Sequence, residues 1–164
     1  MKRLLFLFLV TYLTGCRDRH SIIVTGLEGR ALPSFNLLLM DSATTINTNQ
    51  IPTGKPIVLL FINPYCPFCR AETQQIIDHL NSLNNIKFLV FSIFPFGSIK
   101  EYYNHFKLNK YTNIVVGQDY TDYFGKYFKI PGVPYMAIYA KDKRLRQVLI
   151  GNIGTNRIKD IAME

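Results

Sequence analysis

Two cysteines separated by two residues, Cys66-Pro67-Phe68-Cys69, are the part of this 164-residue chain best suited to chemistry. Sulfurs at that spacing can close and reopen a disulfide, or serve as soft metal ligands. Their position adds to the motif: an apolar run at residues 57–62 leads straight into Cys66, and a helical pattern starts at Pro67. At a helix N-terminus the unpaired N–H groups and the helix dipole favour an anion, which suits a thiolate at Cys66. Pro67 fits the first turn, where its missing N–H would have had no partner. Cys69 follows one turn on, close enough to close a disulfide with Cys66. One turn further, Glu72 borders a buried stripe; partial desolvation there raises a carboxyl pKa and suits it to exchanging protons with thiols.

Other uses of the pair fit less well. Zinc needs three or four protein ligands, and the remaining candidates are Cys16, His20, His79 and His105. A covalent haem site wants histidine after the second cysteine, where this chain has Arg70. A structural disulfide of this spacing would restrain little chain and would expose its first sulfur. A redox-active disulfide, Cys66 with Cys69 and no further cofactor or metal, is therefore expected.

The elements that must hold this pair are legible in outline. A first strand is expected within residues 35–40, then a Thr- and Asn-rich turn region reaching Pro52 and Gly54. Residues 57–62 are all apolar, as in a central strand covered on both faces. Thr73, Ile76, Ile77, Leu80 and Leu83 share helical spacing, which predicts a helix over 67–83. A buried strand follows at 86–93, and a second helix whose Ser98 and Glu101 have capping-box spacing. After a short strand at 114–116, Tyr120, Tyr123, Phe124, Tyr127 and Phe128 predict a third helix with an aromatic core face. Residues 135–139 and 145–150 flank a Lys141-Asp142-Lys143 turn as a hairpin, and a last helix follows Gly154. The order predicts an α/β domain with a mixed central sheet flanked by helices and an N-terminal β extension.

The N-terminus points to export. Lys2 and Arg3 precede an apolar run at residues 4–13 that is too short to span a bilayer comfortably, so residues 1–15 read as a signal peptide. It ends in Leu13-Thr14-Gly15-Cys16, which resembles the lipobox of bacterial lipoproteins. That resemblance implies cleavage before Cys16 and its acylation, a membrane anchor that removes the thiol from redox chemistry. Residues 16–31 then read as a tether and 32–164 as the domain. The formal charge of +8 is scattered over the chain, so no nucleic-acid site is read from it.

From Leu32 onward the chain resembles the TlpA/ResA-like branch of thioredoxin-fold proteins, membrane-tethered or periplasmic thiol-disulfide oxidoreductases. The likeness rests on the strand-to-Cys66-Pro67-Phe68-Cys69 junction, on Glu72, and on Gly132-Val133-Pro134 before a strand. It implies a thioredoxin-like fold with a cis peptide at Pro134 lying against the cysteines. Backbone at Val133 would pair with an extended substrate, and Tyr65, Pro67, Phe68 and Val133 would contact it. Phe96 and Gly97 fall on a neighbouring loop. It further implies a functional glutamate at Glu72, whereas thioredoxin itself carries an aspartate on the preceding strand, where this chain has Leu60.

Two departures bear on specificity. Tyr65 stands where the family has tryptophan before the first cysteine, and Pro67-Phe68 lacks the histidine of strongly oxidising enzymes. The expected activity is reduction or isomerisation of protein disulfides, by Cys66 attack and Cys69 resolution, in a monomer of the cell envelope. Its expected partners are proteins with cysteine pairs, the membrane through Cys16, and an upstream thiol reductant. A copper-delivery lipoprotein using the same sulfurs, or a thiol peroxidase, is the alternative. Peroxiredoxins carry threonine or serine where this chain has Asn63, and copper proteins of this fold usually add a histidine, none of which lies near Pro134.

Overall fold

The computed structural model describes residues 23–164; the expected signal peptide and the acylation site Cys16 lie outside the described residues. Seven strands form one sheet: β1 (Asn36–Leu39), β2 (Thr45–Asn47), β3 (Ile57–Phe61), β4 (Lys87–Ser92), β5 (Ile114–Gln118), β6 (Tyr135–Tyr139) and β7 (Leu145–Ile150). Their spatial order is β2-β1-β5-β4-β3-β6-β7. β3, β4 and β5 run parallel, while β1, β2, β6 and β7 pair antiparallel with their neighbours. Among the described residues four α-helices accompany the sheet: α1 (Pro67–Asp78), α2 (Phe96–His105), α3 (Tyr123–Phe128) and α4 (Thr155–Met163). Among the described residues no helix is long and apolar enough to cross a membrane.

The all-apolar run of β3 has its reason in two cores. Val58 and Leu60 point to the face covered by α1, α2 and α4, among Cys69, Ile76, Ile99, Tyr102, Ile158 and Ile161. Ile57, Leu59 and Phe61 alternate to the other face, against Phe91, Phe124, Phe128 and Tyr135. A strand buried on both faces at the centre of the sheet is a rigid platform, and it ends five residues before Cys66.

Five expectations are corrected. The 41–52 region is not only turn: residues 45–47 pair with β1, and Thr48–Gln50 forms a 3-10 turn whose cap, Asn47, accepts from Asn49 N–H at 3.0 Å. The helix expected over 67–83 breaks at His79 because Ser82 takes the His79 carbonyl with both N–H (3.0 Å) and Oγ (2.8 Å), winding Leu80–Leu83 as 3-10. The Ser98/Glu101 capping box is absent, since α2 starts earlier on Pro95, and Ser98 lies inside its first turn. Tyr120 falls outside α3, and Tyr120 and Tyr123 are exposed; only Phe124 and Phe128 of the aromatic series are fully core. α3 can start only after Asp122, which takes a left-handed conformation. Finally, residues 23–31 are not a free tether. Ile23 bridges Val148, Gly29 N–H donates to the Leu145 carbonyl, and Leu145 N–H donates to the Arg30 carbonyl, so this stretch covers the edge of β7.

Candidate active site

Cys66 is the N-cap of α1 and Pro67 its first helical residue. The local sequence explains the turn: Asn63 Oδ1 accepts the Tyr65 N–H at 2.9 Å and the Asn63 carbonyl accepts the Cys66 N–H at 3.0 Å. The chain is thereby reversed from β3 into the helix, with Cys66 at its mouth. The Cys66 side chain is half-buried, and its Sγ lies 3.9 Å from the carbonyl oxygen of Val133. The Val133–Pro134 peptide is cis. Because β6 runs antiparallel to β3, the start of β6 and the end of β3 meet at the same edge of the sheet, which brings residues 133 and 134 to Cys66.

Cys69 is fully buried, one turn into α1. Burial pushes its thiol up to about 12; the Asn63 backbone pulls the other way, while the Cys66 sulfur and the Glu72 charge add to the rise. The two cysteines therefore differ sharply in exposure. One can meet an incoming disulfide and the other cannot.

Glu72 is buried more deeply than the sequence suggests, with no exposed surface at all. Its Oε2 accepts the Ile153 N–H at 2.6 Å, which lowers its pKa, but desolvation outweighs that and pushes the carboxyl up to about 7. Oε1 has no partner among the described residues. Tyr65 and Phe68, both more than three-fifths exposed, flank Cys66. The Tyr65 hydroxyl lies 2.7 Å from Ser98 Oγ, and its ring meets Phe94 edge-on. Phe96 and Gly97, expected on a loop, instead form the first turn of α2, which starts directly after Pro95; Phe96 is half-buried against the core on the α1/α2 side, as is Val133.

Three participants escaped the sequence reading. Tyr102 is buried, and its hydroxyl donates to the Cys69 carbonyl at 3.0 Å and lies 2.6 Å from Thr73 Oγ1. Arg70 stacks its guanidinium over Tyr102 and Phe106, at 5.8 and 5.3 Å, and donates to the Pro64 carbonyl at 3.3 Å. Ile153, in the loop before α4, supplies the backbone donor to Glu72. The only available signal was that Tyr102 falls on the buried stripe of a helix, where a hydroxyl needs a partner.

A sheet of this order, with a Cys-x-x-Cys pair at a helix mouth facing a cis-proline loop, defines a thioredoxin-like protein. The family model for thioredoxin-like proteins matches residues 54–145, more than half of the chain, and the chain belongs to that family. No curated protein matches it in sequence. Among solved structures it is similar to a secreted Mycobacterium tuberculosis disulfide oxidoreductase homologous to E. coli DsbE, at 18% identity over 77% of this chain and 92% of that one, with a TM-score of 0.64. It is similar to StoA from Bacillus subtilis, at 17% identity over 80% and 98% of the two chains, TM-score 0.60. The M. tuberculosis dsbF structure, in mixed oxidised and reduced forms, covers 85% of this chain and 96% of its own at 18% identity and a TM-score of 0.63. At these identities the likeness establishes the fold.

Proposed function

We propose that the chain is a thiol-disulfide oxidoreductase of the TlpA/ResA type that reduces or isomerises disulfides of envelope proteins. The observation that carries this reading is the unequal exposure of the pair: Cys66 reachable at the helix mouth, Cys69 fully buried beside it. The Cys66 thiolate attacks one sulfur of a substrate disulfide, forming a mixed disulfide and releasing the other sulfur as a thiolate that takes up a proton. Cys69 then loses its proton and attacks the Cys66 sulfur, which breaks the mixed disulfide and frees the second substrate thiol. Starting from the Cys66 thiolate and the Cys69 thiol, the pair has given two electrons and the Cys69 proton, the second proton of the two substrate thiols comes from solvent, and Cys66–Cys69 is a disulfide.

The second step needs a base, because the Cys69 thiol is held at about 12. Glu72 can act as that base. With its carboxyl at about 7 it is partly ionised near neutrality, and its negative charge opposes ionisation of Cys69. When Glu72 takes the proton it becomes neutral and that opposition disappears. The Val133 backbone, 3.9 Å from the attacking sulfur, is placed to align an extended substrate, with Tyr65, Pro67 and Phe68 as the rim.

The leader pattern and lipobox-like Leu13-Thr14-Gly15-Cys16 support anchoring through acylated Cys16, and the similar M. tuberculosis protein is a secreted one. An upstream thiol reductant returns the pair to the dithiol, and the chain acts as a monomer. The absence of histidine between the cysteines favours a reducing couple. Cys69→Ser should accumulate a mixed disulfide between Cys66 and its substrate proteins in oxidising envelope extracts, and Cys66→Ser/Cys69→Ser should not. Equal recovery of cysteine-linked proteins from both variants would overturn the assignment.

A further inference from the structure

Helix α2 touches the cysteine segment at two points, one turn apart on the same face. Ser98 Oγ lies 2.7 Å from the Tyr65 hydroxyl, next to Cys66, and Tyr102 donates to the Cys69 carbonyl at 3.0 Å. Residues four apart on a helix are neighbours, so one helical face spans the whole Tyr65–Cys69 stretch. The two ties differ in kind. Tyr65 and Ser98 meet in solvent, where a hydrogen bond exchanges readily with water. Tyr102 is buried with its ring among Phe106, Ile99 and the Arg70 guanidinium, and its hydroxyl has no water to fall back on. Its only partners among the described residues are Thr73 Oγ1, at 2.6 Å, and the Cys69 carbonyl. Since Tyr102 has one proton, the bonds order themselves as Thr73 O–H to Tyr102 oxygen and Tyr102 O–H to the Cys69 carbonyl. Burial raises the ionisation of Tyr102 well above the ordinary tyrosine range, which keeps it a donor.

We propose that Tyr102 is a positioning residue for the resolving step: its buried hydroxyl holds the Cys69 peptide so that the Cys69 sulfur lies in line with Cys66 when the mixed disulfide must be broken. This inference rests on the proposed exchange reaction and goes beyond it by separating its two steps. Attack by Cys66 occurs at a half-buried sulfur that substrate can reach, and the neighbouring tie of Tyr65 to Ser98 can open as substrate enters. Resolution is an in-line displacement at the Cys66 sulfur by a buried thiolate that cannot search for its geometry. Only the second step should therefore feel the loss of the Tyr102 hydroxyl. Phenylalanine would fill the same apolar space and leave the Cys69 carbonyl with its helical bond alone.

The test uses the full chain in detergent, with Cys16→Ser so that only the pair reports, reacted with the aromatic disulfide dithiobis-nitrobenzoate in stopped flow. Cys66 attack releases a first coloured thiolate and Cys69 resolution a second. Tyr102→Phe should leave the first phase within about twofold and slow the second about tenfold, the kinetic equivalent of one hydrogen bond of about 1.4 kcal/mol. Thr73→Val keeps the Tyr102 bond to Cys69 and should leave both phases within about twofold. The inference is overturned if Tyr102→Phe slows both phases alike or neither, and, should that variant not fold, if Thr73→Val slows the second phase selectively. A wild-type chain that releases only one thiolate would instead refute the exchange reaction itself.

Discussion

Replacement of Glu72 by glutamine is the perturbation whose size follows most directly from the structure. The carboxyl has no exposed surface, one backbone donor at Oε2 and an orphaned Oε1, and burial raises it from 4.5 to about 7. A raised carboxyl means that the folded state binds a proton between those two values while the unfolded chain does not. Stability is therefore complete below pH 4.5, falls as the pH rises towards about 7, and is level above it. At about 1.36 kcal/mol per decade the fall is about 3 kcal/mol, a large share of the stability of a small domain. Glutamine keeps an acceptor for Ile153 N–H and has no charge to desolvate, so its stability should lack this step. Urea unfolding of both chains between about pH 4 and about pH 8 reads the difference directly, because every other titrating group is common to both. Glu72→Gln should gain on the wild type by about 3 kcal/mol across that range. Curves that remain parallel would refute the reasoning, and with it the proton-accepting role of Glu72.

Other outcomes follow from burial and contact. A thiol held at about 12 and fully buried should resist alkylation, so mass mapping after maleimide treatment at neutral pH should show Cys66 modified and Cys69 modified only after unfolding. Phe124 has no exposed surface and meets Phe91 and Phe128 at 4.9 and 4.6 Å; Phe124→Ala should cost about 3–5 kcal/mol in a urea melt. At Gly117 a Cβ would stand 2.9 Å from Leu37 Cβ and 3.2 Å from the Leu38 carbonyl, so Gly117→Ala should destabilise by about 1–3 kcal/mol, with the pairing of β1 and β5 showing the first loss of amide-exchange protection. Asp119 is buried and accepts the Tyr123 and Phe124 N–H groups at 3.1 and 2.9 Å, holding the start of α3; Asp119→Ala should lower stability by about 1–2 kcal/mol.

The elements that carry the site could be read from the residues because their signals are local. An all-apolar strand at 57–61, a proline just inside a helix, and a hairpin at Tyr135–Tyr139 and Leu145–Ile150 each follow from patterns spanning a few residues. The errors have the opposite origin. β2 exists because residues 45–47 find β1, and residues 23–31 lie along β7 because that edge offers unpaired groups; neither partner is visible from the segment itself. Ser98 has the spacing to Glu101 of a cap for the same reason: the pattern is local, while the helix start is set elsewhere by Pro95.

By itself the sequence determined the identity of the reacting atoms and their local setting: two sulfurs one turn apart, a proline-led helix start, and a carboxylate one turn further along. Tertiary structure alone decided how those atoms differ. Parallel strands β3 and β4 and antiparallel β6 bring Val133 to Cys66, the loop before α4 supplies the Ile153 N–H to Glu72, and α2 lays Tyr102 against Cys69. Burial beneath segments far apart along the chain raises the proton affinities of Cys69 and Glu72, and at Glu72 the distant Ile153 N–H opposes that rise. Those forces depend on what surrounds an atom in space, which no spacing within a single segment records.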